Sequence, residues 1–295
     1  TSLKSKHLIL KPFRCAWTPL GFQDHLCQEM AKLFTSFESL FSRPVILFLN
    51  GEYWGIYFLE EKPDERFIQS HYGIDEKEVH MVRDWAGRDK NGNIDTLFTA
   101  MMDWLQTADL TKNQQYAELK RMVDVSSFTD YVLFETFIGN RDWPANNMRC
   151  WSANGSSWRF VFFDGDAIRT QSFAEVDNAL FKGGRQCWPS SPEATLLLRR
   201  LLQNPQYRSY FLKRMREMAK AFSFRRGTPL RTHFNHTVFL LKKEIPYQSK
   251  RFGFPKNSCQ WRHAVRHQRR YWRRHCRKVE REWQQVIREY NGNPS

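Results

Sequence analysis

No run of about 18 consecutive apolar residues occurs, so no membrane-spanning helix is expected. Cysteine is sparse and scattered: six residues, Cys15, Cys27, Cys150, Cys187, Cys259 and Cys276, none in a C-x-x-C pair. That spacing argues against zinc, and single cysteines in a chain this long read as buried thiols rather than a disulfide framework. There is no internal repeat and no low-complexity tract. No secretory signal pattern is visible; Thr1 in place of an initiator Met reads as a trimmed N-terminus, and localisation is not legible from the chain. Acidic residues are in deficit, 31 against 46 Lys and Arg, for a formal charge of +15. Such a balance favours anionic partners: nucleotides, phosphorylated or acidic proteins, polyanions. Nucleic acid ranks last among them, because no nucleic-acid motif accompanies the charge. What is present is ample apolar material, 41% hydrophobic and 15% aromatic in 295 residues. This fits one large domain, or two lobes sharing a cleft.

The pattern predicts a short strand over His7–Lys11 and an amphipathic helix over Phe22–Phe34. Strands at Val45–Leu49 and Tyr53–Leu59 flank Asn50-Gly51, a hairpin signal. Pro63 opens a helix that Gly73 closes, and Val79–Val82 reads as a further short strand. A polar loop over Asp84–Asn93, expected to be mobile, precedes three helices: Asp95–Gln106, Asn113–Val123 and Ser126–Ile138, the last with Ser126 or Ser127 as its cap. Residues 170–192 look irregular. Beyond Glu193 the pattern is helical, over Leu196–Leu202, Tyr207–Phe222, Leu230–Ile245 and Ser258–Tyr290. In the last of these Val265, Trp272, Val279 and Trp283 form an inward stripe, and the rest is strongly basic, a face open to an acidic protein. Trp54, Trp143 and Trp158 are expected in the core.

The most informative stretch is Tyr131–Arg169. An apolar helical run leads into Gly139-Asn140-Arg141-Asp142-Trp143-Pro144-Ala145-Asn146-Asn147, which Pro144 keeps from becoming helix. Two aromatic-rich strands around Asn154-Gly155 follow, and the second runs out at Asp164-Gly165-Asp166. Either acidic motif alone is more often a cap or a turn. Together they match what phosphoryl transfer needs: one Asp for the hydroxyl proton, and an Asn and further Asp residues for Mg²⁺. The spacing D-x-x-x-x-N of Asp142 and Asn147 equals that of the protein-kinase catalytic loop.

The hairpin Leu47-Phe48-Leu49-Asn50-Gly51-Glu52-Tyr53-Trp54-Gly55-Ile56-Tyr57, followed by Glu60-Glu61-Lys62, resembles the spore coat protein H (CotH) kinase family. So do Asp142-Trp143-Pro144-Ala145-Asn146-Asn147, Trp158-Arg159-Phe160 and Asp164-Gly165-Asp166. The similarity runs from about Leu8 into the last helix. It implies a divergent, kinase-like α+β fold in one domain over residues 1–295. Residues 1–62 would form a small β-containing lobe and 63–295 a mostly helical one. It also implies an atypical protein kinase, mainly bacterial, that uses ATP and Mg²⁺, with Mn²⁺ as a substitute, on secreted or coat proteins. Two departures stand out: Leu10–Trp17 lacks the Gly, Asn and Asp common in the family, and Gly165 stands where Leu or Thr is usual.

On this logic Asp142 is the base or hydroxyl-orienting residue. Asn147, with Asn146 as an alternative, joins Asp164 and Asp166 as the Mg²⁺ ligands. Lys11, paired with Asp24 or Glu29 of the following helix, is the candidate cation for the phosphates, although an isolated Lys is more often simply solvated. Glu60, Glu61 and Lys62 fall where a kinase hinge would touch adenine, or are an ordinary charged strand end. The acceptor is expected to be an acidic or Ser/Thr-rich protein. The competing reading is a nucleotide- or polyanion-binding coat module whose chemistry has decayed; such a module should have lost one of Asp142, Asn147 or Asp164, and this chain keeps all three.

Overall fold

A computed structural model describes residues 3–13, 18–33, 36–144, 146–168 and 191–292. The irregular segment expected over 170–192 thus lies almost wholly outside the described residues, as do Arg14–Trp17. Strands β1 (Leu8–Pro12), β3 (Ser42–Leu49) and β4 (Glu52–Glu61) form an antiparallel sheet in the order β1-β4-β3. Asn50 and Gly51 both take positive φ, 50° and 79°, the geometry of a two-residue turn whose twist matches the paired strands. A second sheet has the order β2-β7-β6-β5, from β2 (Glu38–Ser39), β5 (Val79–Val82), β6 (Cys150–Ala153) and β7 (Arg159–Phe162). Here β2 runs parallel to β7, and the other pairs are antiparallel. Strand β2 therefore ties the first 62 residues to the centre of the chain.

The helices are α1 (Gln23–Ala31), α2 (Glu65–Tyr72), α3 (Thr96–Thr107), α4 (Asn113–Met122) and α5 (Val125–Ile138). After the undescribed stretch come α6 (Pro192–Leu201), α7 (Pro205–Ala221), α8 (Pro229–Leu241), α9 (Ile245–Phe252) and α10 (Ser258–Gly292). The fold is α+β with a helical C-terminal part, as the kinase-like expectation requires. Among the described residues no helix is long and apolar enough to cross a membrane.

Local chemistry explains where the elements start and stop. Aspartates cap three helices: Asp64 accepts from Arg66 N and Phe67 N, Asp95 from Leu97 N and Phe98 N, and Asp124 from Ser126 N and Ser127 N. The cap of α5 is thus Asp124, not Ser126 or Ser127; its carboxylate, two and three residues earlier, takes the N–H groups of those serines themselves. Gly73, at φ 72°, closes α2 as expected. The helix expected over Leu230–Ile245 ends at Leu241, and a separate helix, Ile245–Phe252, follows that was not anticipated; Pro246 lacks the N–H needed to continue the first but is suited to start the second. The polar loop over Asp84–Asn93, expected to be mobile, is closed by an antiparallel bridge between Arg88 and Ile94 and by Asp89, which accepts from Asn91 N and Asn93 N. Trp143 and Trp158 are buried, but Trp54 is only half-buried, with the Arg251 guanidinium 5.3 Å from its ring.

Helix α5 is the core of the molecule. It is buried continuously from Ser127 to Ile138, as an all-round apolar helix must be. Phe137 stacks on Phe222 at 3.9 Å, and α10 packs on the same side through Trp272 and Trp283, two of its inward stripe. His275 of α10 donates from Nε2 to the carbonyl of Phe137, which leaves Nδ1 to accept from the Tyr271 hydroxyl at 3.3 Å. Burial pulls its pKa down to about 4. The unfolded residue takes its proton near 6.5, so the neutral pairing stabilises the fold fully above that pH and progressively less as pH falls toward 4. The swing is about 3 kcal/mol for this side chain. Denaturant melts of His275→Gln should show a flatter loss of stability between pH 6.5 and 4.5 than the parent protein. Parallel curves would mean that His275 is already charged when folded.

Candidate active site

The register of β1 on β4 places Lys11 opposite Phe58 and Ile9 opposite Glu60, so Lys11 and Glu60 share one face of the sheet. Asp24 lies in the first turn of α1, where the helix dipole favours a carboxylate. Its Oδ2 accepts from Lys11 Nζ, and its Oδ1 accepts from the backbone N–H of Gly165 at 2.8 Å. Lys11 Nζ also lies 3.3 Å from Asp164 Oδ1 and 3.4 Å from Glu60 Oε2. Asp24 is therefore the helix carboxylate expected to pair with Lys11; the other candidate, Glu29, pairs with Lys32 and His233 instead.

The loop and the strand end are held side by side by backbone. Asn140 bridges Ile168, and Arg141 N donates to Ala167 O at 3.2 Å. Asn147 and Asp164 both adopt left-handed φ, 55° and 62°, a conformation that Asn and Asp tolerate better than most residues. Asn147 Nδ2 faces the Asp164 carbonyl at 3.5 Å, whereas Asn146 is exposed and contributes its N–H to Asp142 O at 2.9 Å. Of the two asparagines, Asn147 is the one turned to the acidic strand end. Asp142 is half-buried, and its carboxylate has no hydrogen-bond or ion-pair partner among the described residues. The Trp143–Pro144 peptide is cis, and its Pro144 carbonyl accepts from Trp85 Nε1 at 2.8 Å.

Two residues behind this loop were not anticipated. Asn140 accepts from Asp142 N through Oδ1 at 3.2 Å and donates through Nδ2 to Glu135 Oε2 at 3.0 Å. Glu135 is completely buried, and that burial holds its carboxyl well above the usual range, with Asp164 and Asp24 adding to the shift and the Asn140 hydrogen bond opposing it. A lone carboxylate inside the apolar run of α5 was the available sequence signal.

Gly165 marks another constraint. A Cβ there would sit 2.8 Å from Cys27 Cβ and 2.8 Å from the Phe162 ring, because α1 passes directly over the turn. This accounts for glycine where larger residues are usual. Gly165→Leu is expected to lose about 3 kcal/mol of stability, the upper range for overpacking. A guanidinium titration giving a loss under half that would mean α1 can move aside.

The electrostatics are lopsided. Burial lowers the Lys11 pKa, but Asp24, Glu60 and Asp164 outweigh it and push it up, so the ammonium stays charged. Glu60 is raised by burial and by Asp24, with Lys11 opposing. Asp166 is raised to about 7, by burial first and then by Asp164 and Asp24, with Asp142 adding to it against Lys11. So much carboxylate around one ammonium is a site short of positive charge. Among the described residues no three His, Cys, Asp or Glu side chains converge closely enough to hold a metal by themselves. Mg²⁺ does not require that: it is commonly held by one or two carboxylates, with water and phosphate oxygens completing the shell. The oxygen donors of Asp164, Asp166 and Asn147 fit such a hard cation.

A family model described as CotH kinase protein matches residues 19–278. The chain belongs to that family. No curated protein matches it. Membership of the CotH kinase family points to a kinase-like enzyme, and the matched span carries the hairpin, the Asp142 loop and the acidic turn. Lys11 precedes the match, so its place in the site rests on geometry alone.

The hinge-like trio does not act as one group. Glu60 belongs to the Lys11 cluster. Glu61 is saturated: Oε1 accepts from Lys4 N, Ser5 N and His71 Nε2, and Oε2 from Phe41 N. Lys62 is exposed, 3.8 Å from Asp64. The backbone N–H groups of Glu61 and Lys62 are already bonded to Phe41 O and His7 O, so of the donors here only the exposed Lys62 ammonium is left for a base edge. An adenine contact at these two residues would thus run through the Lys62 side chain, while Glu61 fits the alternative of an ordinary charged strand end.

Proposed function

We propose that this CotH kinase family member transfers the γ-phosphoryl group of ATP, in a Mg²⁺-dependent reaction, to Ser or Thr hydroxyls of an acidic or Ser/Thr-rich protein. The observation that carries this reading is the meeting of the Lys11–Asp24 pair with the Asp164-Gly165-Asp166 turn, beside a D-x-x-x-x-N loop whose Asp142 carboxylate is unengaged among the described residues. Lys11, fixed by Asp24, is assigned to the phosphates. Asp142 takes the acceptor hydroxyl proton as the oxygen–phosphorus bond forms and the bond to ADP breaks. Asn147, Asp164 and Asp166 would hold Mg²⁺, or Mn²⁺ in its place, which neutralises phosphate charge when bound. Asn140 and Glu135 keep the loop in place. The division near residue 62 into a small and a large lobe is part of the proposal, with β2 reaching across it.

The test is incubation of the full chain with labelled ATP and either metal, scored for label on itself and on acidic and Ser-rich acceptors. Label that requires the metal is expected. ATP binding with no transfer to any acceptor would favour the non-catalytic, polyanion-binding relative. In calorimetry, chelation should weaken ATP affinity markedly, because triphosphate and bare carboxylates repel. Equal affinity with and without chelator would remove the metal assignment.

A further inference from the structure

The C-terminal helices carry a concentration of positive charge that shares no residue with the Asp142 site. A cavity of about 240 Å³ lies between α7, the α7–α8 connection and α10, and Lys220, Arg225, Arg273 and Arg277 line it with Glu280 as the one acidic residue. An adjoining cavity of about 360 Å³ shares Ala219, Lys220 and Glu280 and adds Arg216 and Arg288. Together they make a groove along α10. None of these six cations has an ion-pair partner among the described residues.

Lys220 has an ordinary explanation, since a cation in the last turn of α7 is favoured by the helix dipole. The arginines do not. Arg273 and Arg277 stand four residues apart on one helix, an arrangement that costs stability when the charges are alike. Arg225 joins them from a different segment. Converging guanidinium groups that outnumber the single Glu280 carboxylate and form no ion pair with it suit phosphate, whose oxygens accept paired N–H bonds from the planar fork.

The shape of the lining selects the kind of phosphate. Phe222, Phe224 and Trp283, the aromatic residues at these cavities, are 2%, 4% and 0% exposed, so none offers a face on which a nucleobase could stack. Glu280 lies between the two cavities and would repel a continuous polyanion there. Two separate pockets suit two separate phosphate-bearing side chains. The geometry points to a docking groove for a phosphorylated polypeptide, with one phosphomonoester in each pocket. If the kinase reading holds, the ligand is an already phosphorylated stretch of substrate, but the groove shares no lining residue with the Asp142 site and its binding needs no ATP.

The experiment uses the full chain, without nucleotide, and a fluorescent peptide carrying two phosphoserines several residues apart. Anisotropy should show binding at least about tenfold tighter than for the unphosphorylated peptide, with inorganic phosphate competing at millimolar concentration. The Arg225→Gln/Arg273→Gln/Arg277→Gln variant should lose most of that preference, and adding Arg216→Gln/Arg288→Gln should abolish the rest. Arg262→Gln/Arg266→Gln, equally basic and exposed on α10 but outside the groove, should keep it. Equal affinity for the two peptides, loss in the control variant, or tighter binding of a single-stranded oligonucleotide would each overturn the proposal. Because no catalytic step is measured, failure here leaves the kinase assay standing, and failure of that assay leaves this one standing.

Discussion

Asp142→Asn should leave folding and ATP binding close to those of the parent and reduce phosphoryl transfer by roughly 10²–10⁴-fold, the usual worth of a positioned general base. The side chain keeps its shape but can no longer take the acceptor proton. The backbone that fixes the loop is untouched, since Asn140 binds the Asp142 N–H and not its carboxylate. Asp164→Asn should behave differently. It removes a charged oxygen from the proposed cation site and weakens the contact with Lys11, so metal-dependent ATP binding and transfer should fall together. A paired measurement of nucleotide affinity and turnover separates the two variants. If Asp142→Asn keeps most of its activity, or loses ATP as badly as Asp164→Asn does, Asp142 is a structural residue or a cation ligand and the base lies elsewhere.

What the sequence revealed of this site follows the range of the interactions that build it. The Asp142 loop and the acidic turn were legible because both are short motifs set by local chain geometry: a proline, an Asn-Gly turn and a strand that runs out into Asp-Gly-Asp. The pairing of Lys11 with Asp24 was narrowed to two carboxylates because both candidates stood on the next helix. Choosing between them needed the packing of α1 across Gly165, which no periodicity contains. The contact of Glu60 with Lys11 was not anticipated for the same reason. Its neighbours in sequence are a charged strand end, and only the β1–β4 register turns it toward Lys11 while Glu61 alternates to the opposite side. Glu135 and Asn140 act through two hydrogen bonds across a helix terminus; the lone carboxylate in the apolar run marked Glu135, but its link through Asn140 to the loop needed coordinates. In the fold, the hairpin turns and most helix cores were readable. The misses were local: Asp124 over the serines as a cap, and the short helix that Pro246 opens after α8.

In Lys11→Met the carboxylates of Asp24, Glu60 and Asp164 lose the ammonium they share, and transfer should be lost with it. Glu60 is the most deeply buried of the three, at 0% exposure, so removal of its counter-charge dominates the cost. Breaking a buried pair by deleting one partner destabilises by about 3–5 kcal/mol, and the lower figure fits here because Asp164 keeps contact with water. The loss should depend on pH. Burial and Asp24 already raise the Glu60 pKa, and Lys11 is the opposing influence, so the variant's Glu60 holds its proton to still higher pH. Folded Glu60 then binds a proton that the unfolded chain does not bind until pH falls through about 4.5, so acidification from pH 8 to 5 stabilises the variant more than the parent. Urea unfolding at those two pH values should therefore show the gap between variant and parent narrowing toward acid. Adding Glu60→Gln to Lys11→Met should recover part of the loss at pH 8, because the uncompensated charge is gone while the amide can still meet Ser42. A gap that is the same at both pH values, with no recovery in the double variant, would mean that Lys11 contributes through the packing of its stem and not through its charge.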